Sequence, residues 1–421
     1  MRSLLADTRP LRVPEFRRLW TAWAVANVGQ QMTSVAVSLQ VWYLTHSPLA
    51  VGAIGVCQFV PLVLLGLYGG ALSDAHDRRR VGLLASVGLM ACSMVLLAQA
   101  LVGSDRTAIL YAVVALQSAC FALGNPARQA MIPRLIGRDL LPAANALGMV
   151  SFNTGMTVGP LIAGALVAAT NNVAFVYAAD VLAFTTVLYA TFKLPSMPPL
   201  PLADGSAPRR AGLASIVEGL TFLKGRTNLQ VSLLIDVIAM VLGMPRALFP
   251  AIADMWFNAG GSQARVSALV GFFTAAIAIG AVAAGLLSGP LQRVHRHGRA
   301  VTVAVVVWGA AIALFGVSRS LPLSLVCLAI AGAADTVSAV FRSTMLQSAA
   351  PDEYRGRLQG VFTVVVAGGP RLGDLEAGAV ATALGLVASV VSGGVGCVVL
   401  AVALVAWRRS FWHYDARNPE P

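Results

Sequence analysis

Six ionisable side chains stand inside long apolar stretches of the sequence: Asp180, Asp236, Asp335, Arg371, Asp374 and Glu376. A charge placed in lipid is costly, so its presence there points to a role. For a carboxyl the chemistry on offer is proton exchange: it takes up a proton facing one side and releases it facing the other. Low-dielectric surroundings are what bring such a switch within reach of neutral pH. Two spacings offer a plainer use. Arg371 and Asp374 are three apart and share a helix face. Asp335 and Arg342 are seven apart and also share one. Each pair can neutralise itself and simply stabilise a bundle. If Arg371 claims Asp374, then Glu376, Asp335 and Asp236 are the better proton carriers, in no particular order, with Asp180 a further candidate.

Uncharged polar residues mark faces that line a cavity or bridge neighbouring helices. Asn27, Gln31 and Ser34 form one stripe along the first apolar run, and Gln58, Gln117, Asn145 and Asn153 add amides in later runs. Phe59, Phe121, Phe152, Phe272, Phe273 and Phe362 suit an apolar cavity, although phenylalanine is ordinary in such runs. The series Gly155-x-x-x-Gly159-Pro160-x-x-x-Gly164 lets two helices approach closely and bends one of them. Cys57, Cys92, Cys120, Cys327 and Cys397 lie apart inside apolar runs and read as buried thiols. With no C-x-x-C or His-Cys spacing, neither a metal nor a cofactor is expected. An enzyme is disfavoured too, since no His-Glu-x-x-His, G-x-S-x-G or P-loop pattern occurs.

The elements that position these groups follow from composition. Of 421 residues, 57% are hydrophobic and 11% charged, with mean hydropathy +0.76. A soluble domain carries about 25% charged residues. Runs of roughly 20 apolar residues span a bilayer, and twelve are found: 19–44, 50–73, 81–103, 107–131, 142–168, 173–193, 229–250, 266–290, 299–318, 321–347, 357–385 and 387–408. The expected fold is an all-α membrane protein with two pseudo-symmetric six-helix bundles, 19–193 and 229–408. Around them lie a cytoplasmic arm (1–18), a Pro-rich linker with an amphipathic helix at 213–226 (194–228) and a tail (409–421).

The net charge of +12 does not indicate nucleic acid, because the basic residues sit in the corners between runs. Arg106, Arg246, Arg265 and Arg319 fall on one side and Arg371 inside a run; every other Lys and Arg falls on the opposite side. By the positive-inside rule that side is cytoplasmic, and both termini lie there. Trp20, Trp23, Trp42, Tyr43, Trp256 and Trp407 near run ends read as interface anchors. The halves also echo one another: Arg128 and Arg342, Gly159 and Gly373, Gly164 and Gly378 all stand 214 residues apart. Two six-helix halves related in parallel leave such a repeat.

The corner Gly69-Gly-Ala-Leu-Ser-Asp-Ala-His-Asp-Arg-Arg-Arg80 resembles the loop between helices two and three of major facilitator superfamily transporters. The family usually has glycine where Asp77 stands. The glycine-proline series resembles the motif of the family's antiporter branch. Thr45–Gly52, Met244–Pro250, Arg342–Gln347 and Pro351–Arg357 look like the enterobactin-exporter-like branch, which includes siderophore, macrolide and other drug efflux proteins. The resemblance covers nearly the whole chain. It implies the major facilitator fold and secondary active transport in the cytoplasmic (inner) membrane. The expected activity is proton-coupled export of a hydrophobic or amphipathic small molecule by alternating access, as a monomer. Uptake or lipid flipping by the same fold is the alternative. In the family the aspartate matching Asp74 faces the N-terminal end of helix eleven, which makes Gly70, Asp74, Arg78 and Arg79 a gating motif; the arginine run Arg78–Arg80 also suits anionic membrane lipid. Some proton antiporters of the superfamily carry an arginine in the membrane-embedded part of the fourth span, and this chain has none there.

Overall fold

Proline opens the first two long helices, where its missing N–H would have had no partner in any case. α1 (Pro14–Thr45) and α2 (Pro48–Ala75) meet at His46, which has a positive φ of 47°. α3 (Arg78–Val102) starts on Asp77, whose side chain accepts the Arg79 N–H at 2.9 Å, and ends on left-handed Gly103. α4 (Thr107–Leu135), α5 (Leu141–Thr170) and α6 (Ala174–Phe192) complete the first half. The computed structural model describes residues 7–104, 106–198, 221–258, 261–287, 294–349 and 352–417. Most of the linker helix expected at 213–226 therefore lies outside the described residues.

The second half begins with α7 (Thr227–Leu242), which stops at Gly243 and Pro245, turns through Arg246–Leu248 and resumes as α8 (Phe249–Phe257). The seventh span expected to end at residue 250 is thus a broken helix reaching Phe257. α9 (Gln263–Leu286), α10 (His297–Val317), α11 (Leu321–Ala349), α12 (Asp352–Leu384), α13 (Leu386–Trp407) and the short α14 (Arg409–His413) follow. Among the described residues, ten stretches are helical, long and apolar enough to cross a membrane, α7 and α8 counting as one. α1 and α12, with 32 and 33 residues, are consistent with the expected twelve and carry the polar stripe and the charged cluster.

By contacts the chain forms two compact units, residues 1–40 with 57–212, and 41–56 with 213–421. In the first, α3 packs against both α4 and α6. In the second, α10 packs against both α11 and α13. The third helix of each half therefore grips its fourth and sixth. The glycines repeat the pattern. A Cβ on Gly159 would stand 2.6 Å from Gln31 Cβ and 2.9 Å from the Val28 carbonyl of α1. A Cβ on Gly373 would meet the Met240 and Val241 carbonyls of α7. The fifth and the eleventh span thus approach the first and the seventh through glycines at one sequence offset.

Phe273 is wholly buried, in an aromatic cluster with Phe249 and Phe315 at ring separations of 5.6 and 5.8 Å. It is a core residue and not a cavity wall; Phe362 lies outside the described side chains. Trp42 is also buried, not an interface anchor. Its Nε1–H donates to Asp254 Oδ2 at 3.1 Å within the second unit.

Candidate proton and substrate site

The charged centre of the second unit is an ion pair between Asp236 on α7 and Arg342 on α11. Only 1% and 3% of these side chains are exposed. Side chains on a helix lean toward its N-terminus, and Arg342 does so: its Nε donates to the Ser338 carbonyl at 3.4 Å. The guanidinium therefore lies over the turn that follows Asp335. Asp335 is half-buried and interacts electrostatically with Arg342, Asp236 and Arg246. The spacing of seven suggested a pair between Asp335 and Arg342, but such residues are about 10 Å apart along a helix axis. The carboxyl on the neighbouring helix is the one Arg342 reaches. Asp335 thus lies in the field of two cations, Arg342 and Arg246, while Asp236 pairs directly with Arg342. In a low-dielectric interior one cation balances one anion, and Arg246 is the further cation that Asp335 has besides Arg342.

Asp374 and its neighbours sit on α12. Asp374 Oδ1 accepts the backbone N–H of Ala247 at 3.2 Å, in the turn that breaks the seventh span. Arg371 and Glu376 are half-buried on the same helix. Gly52 and Gly55 of α2 lie against the Asp374 and Arg371 carbonyls, so residues 41–56 pack onto α12 within this unit.

In the first unit, Asp180 on α6 is fully buried and accepts a hydrogen bond from Ser93 Oγ of α3 at 2.7 Å. A Cβ on Gly29 of α1 would stand 2.5 Å from Asp180 Oδ1, so only glycine lets α1 come this close. Thr33 of α1 faces the same carboxyl with its hydroxyl, and Asp180 makes no ion pair among the described residues. Toward the end of α1, Gln40 Oε1 accepts from Gln99 Nε2 at 2.9 Å and from the Tyr177 hydroxyl at 2.8 Å. Sequence reasoning did not single out this network, although amides inside apolar runs were its signal.

The polar stripe of α1 serves the helix contact. Asn27 Nδ2 donates to the Ser151 and Phe152 carbonyls of α5 at 3.1 and 3.3 Å, beside Gly155. Gln31 lies against Gly159, and Pro160 and Gly164 are buried on the same helix. Ser34 and Asn153 are exposed, while Gln58 and Gln117 are half-buried. Arg128 of α4 stacks 3.8 Å from the Trp23 ring and bonds Asn125, closing a small cavity among α1, α3, α4 and α6.

A family model described as transmembrane secretion effector matches residues 6–421. The chain belongs to this family of the major facilitator superfamily. It is 30% identical over 416 residues to the enterobactin exporter EntS of Escherichia coli (strain K12), covering 97% of this chain and 95% of that one. It is 31% identical to EntS of Shigella boydii over 93% of this chain and 91% of that one. Its fold resembles that of the nucleoside transporter NupG, with TM-score 0.74, 13% identity, and 93% and 99% of the two chains covered. It likewise resembles a bacterial homolog of the human lysosomal transporter Spinster, with TM-score 0.70, 14% identity and 98% of each chain covered. As a member of this family the chain is a secondary transporter of the export type, not an enzyme.

The corner between α2 and α3 shows what an aspartate does where the family usually has glycine. Asp77 caps α3 and also accepts from Ser196 Oγ and, at 3.2 Å, from the Met197 N–H after α6. Arg78 Nη1 donates to the Ala130 carbonyl of α4 at 3.2 Å, and Arg79 Nη2 donates to the Phe192 carbonyl of α6. Arg79 thus meets the last carbonyl of α6, at the negative end of its dipole. A Cβ on Gly70 would meet nothing within 4 Å. The side chains of Asp74 and of residues 351–364 lie outside the described ones. Burial would raise the pKa of Asp77, but the bonds from Ser196, Met197, Arg79 and Arg80 outweigh it and hold the carboxyl below its usual range. A depressed carboxyl stabilises the fold above the unfolded-state value near 4 and stops doing so as pH falls through the folded one. Asp77→Ala is therefore expected to cost about 1 kcal/mol at neutral pH. That deficit should shrink in acid, as thermal unfolding in detergent at several pH values will register.

Proposed function

We propose that the protein exports a siderophore-like, hydrophobic or amphipathic small molecule across the cytoplasmic membrane in exchange for protons. The observation that carries the substrate class is the similarity to enterobactin exporters along nearly the full length of both chains. The buried pair of Asp236 and Arg342 carries the coupling. Asp236 holds Arg342 while ionised; on binding a proton it frees Arg342 toward Asp335. One proton thereby changes which helix the cation grips, α7 or its own α11, and that is the kind of two-state contact alternating access needs. Glu376, Asp374 and Asp180 are further carriers to be ranked by substitution.

In this reading the protein works as a monomer with both termini cytoplasmic, as the placement of its basic corners supports. Gly70, Asp74, Arg78 and Arg79 form the cytoplasmic gate, and anionic lipid meets the arginine corner. Inverted membrane vesicles test the proposal. Enterobactin is expected to accumulate in them when an inward-acid proton gradient is present, and accumulation should stop when a protonophore collapses it. Transport that ignores the gradient removes the coupling; transport of lipophilic drugs but not enterobactin replaces the substrate class.

A further inference from the structure

An open groove of about 450 Å³ runs between α10 and α13 in the second unit. Its walls are aliphatic: Val303, Val307 and Val402 are 53%, 39% and 48% exposed. Its other end is basic and aromatic, where Arg409 and Trp412 of α14 close it. α14 is held there by Phe411, which is fully buried and whose carbonyl lies against Gly298 at the start of α10. Arg299 stands 5.1 Å from the Trp412 ring, and its Nε is buried without a partner. Arg408, next to Arg409, lies over Trp407 at 4.2 Å. None of these three arginines makes an ion pair among the described residues, and the nearest acidic residue in sequence, Asp415, is paired with Arg417.

We propose that this groove holds one anionic phospholipid, with an acyl chain along the valines and the phosphate against Arg299 and Arg409. The shape fits a lipid better than a water-soluble ligand. From Val402 to the end of α13 at Trp407 the groove follows about 8 Å of helix, the depth of the upper part of an acyl chain below its headgroup. Trp412 sits at the boundary between the apolar and basic ends, as tryptophan does at a membrane surface. The Arg409 guanidinium at one end, with Arg299 beside Trp412, supplies the charge that selects an anionic headgroup.

Trp412 makes the test direct. The purified full-length protein is placed in vesicles containing a fixed fraction of bromine-labelled phosphatidylglycerol or bromine-labelled phosphatidylcholine. The emission quenched in the parent but not in Trp412→Phe isolates the groove. Phosphatidylglycerol is expected to quench that component more strongly than phosphatidylcholine, with reversal by excess unlabelled phosphatidylglycerol. Arg409→Gln should weaken the preference roughly fivefold, the usual contribution of one basic residue near an anionic surface, and Arg409→Lys should keep it. Equal quenching by both headgroups, or a preference unchanged in Arg409→Gln, overturns the proposal. So does a dimer in native mass spectrometry whose formation excludes the labelled lipid, because the groove is then filled by a second copy.

Discussion

Replacing Arg342 by glutamine is expected to cost about 3–5 kcal/mol of stability and to abolish gradient-driven export. Removing one partner of a buried ion pair leaves the other charge uncompensated, and costs of that size follow. Here the loss falls first on Asp236, which Arg342 contacts directly, and less on Asp335, which also has Arg246. Asp236→Asn should be the milder lesion in folding, since Arg342 still has Asp335 two turns back along its own helix. It should be just as severe in transport, because the proton acceptor is gone. The double variant Asp236→Asn with Arg342→Gln separates the two roles. With both charges removed, most of the stability should return, since well-packed neutral replacements for buried pairs are often tolerated. Coupled export should not return. Thermal unfolding in detergent and accumulation in inverted vesicles read the two quantities on the same four proteins. A double variant that still exports with a proton gradient would reduce the pair to scaffolding and move the search to Glu376, Asp374 and Asp180.

The distinction between scaffold and mechanism is also where the sequence ceases to be legible. Membrane helices are announced by their composition, and their ends by short polar signals. Asp77 is one: the run beginning at residue 81 becomes a helix from Arg78 because an aspartate caps it. The break in the seventh span was less visible. Met244, Ala247, Leu248 and Phe249 keep the stretch apolar, so hydropathy runs straight through it, and only Gly243, Pro245 and Pro250 betray the turn. That turn matters, because it presents the Ala247 N–H to Asp374.

Pairing between helices was harder still. Spacing along one helix says which residues share a face, and it correctly grouped Asp335 with Arg342 on α11. It cannot say which acid a neighbouring helix brings. Gln40, Gln99 and Tyr177 converge from three helices, and Asn27 finds carbonyls on α5 more than a hundred residues away. The half-chain repeat was the one long-range signal in the sequence, and it pointed at Gly159 and Gly373, each of which meets the first helix of its own half.

Those glycines yield the last expected result: Gly373→Ala and Gly159→Ala should each destabilise the protein, whereas Gly66→Ala should not. At Gly66 a Cβ meets nothing within 4 Å, and alanine improves a helix interior. At Gly373 the added carbon meets backbone: the Met240 carbonyl, then the Val241 carbonyl at 3.0 Å and its Cα at 3.2 Å. Backbone cannot rotate aside as a flexible side chain can, so α12 must move off α7. Overpacking of this kind costs about 1–3 kcal/mol. The movement also stretches the hydrogen bond that the adjacent Asp374 accepts from Ala247, and bonds to a charged acceptor contribute roughly 1.5–3 kcal/mol. Gly159 meets the Gln31 Cβ and the Val28 carbonyl but carries Pro160 where the second half has Asp374. Its alanine variant lacks that second loss. Gly373→Ala should therefore unfold at the lower temperature of the two. An equal loss at both positions would mean that the bond between Asp374 and Ala247 adds nothing to the crossing, and no loss at either would place α5 and α12 farther from their partners than the glycines allow.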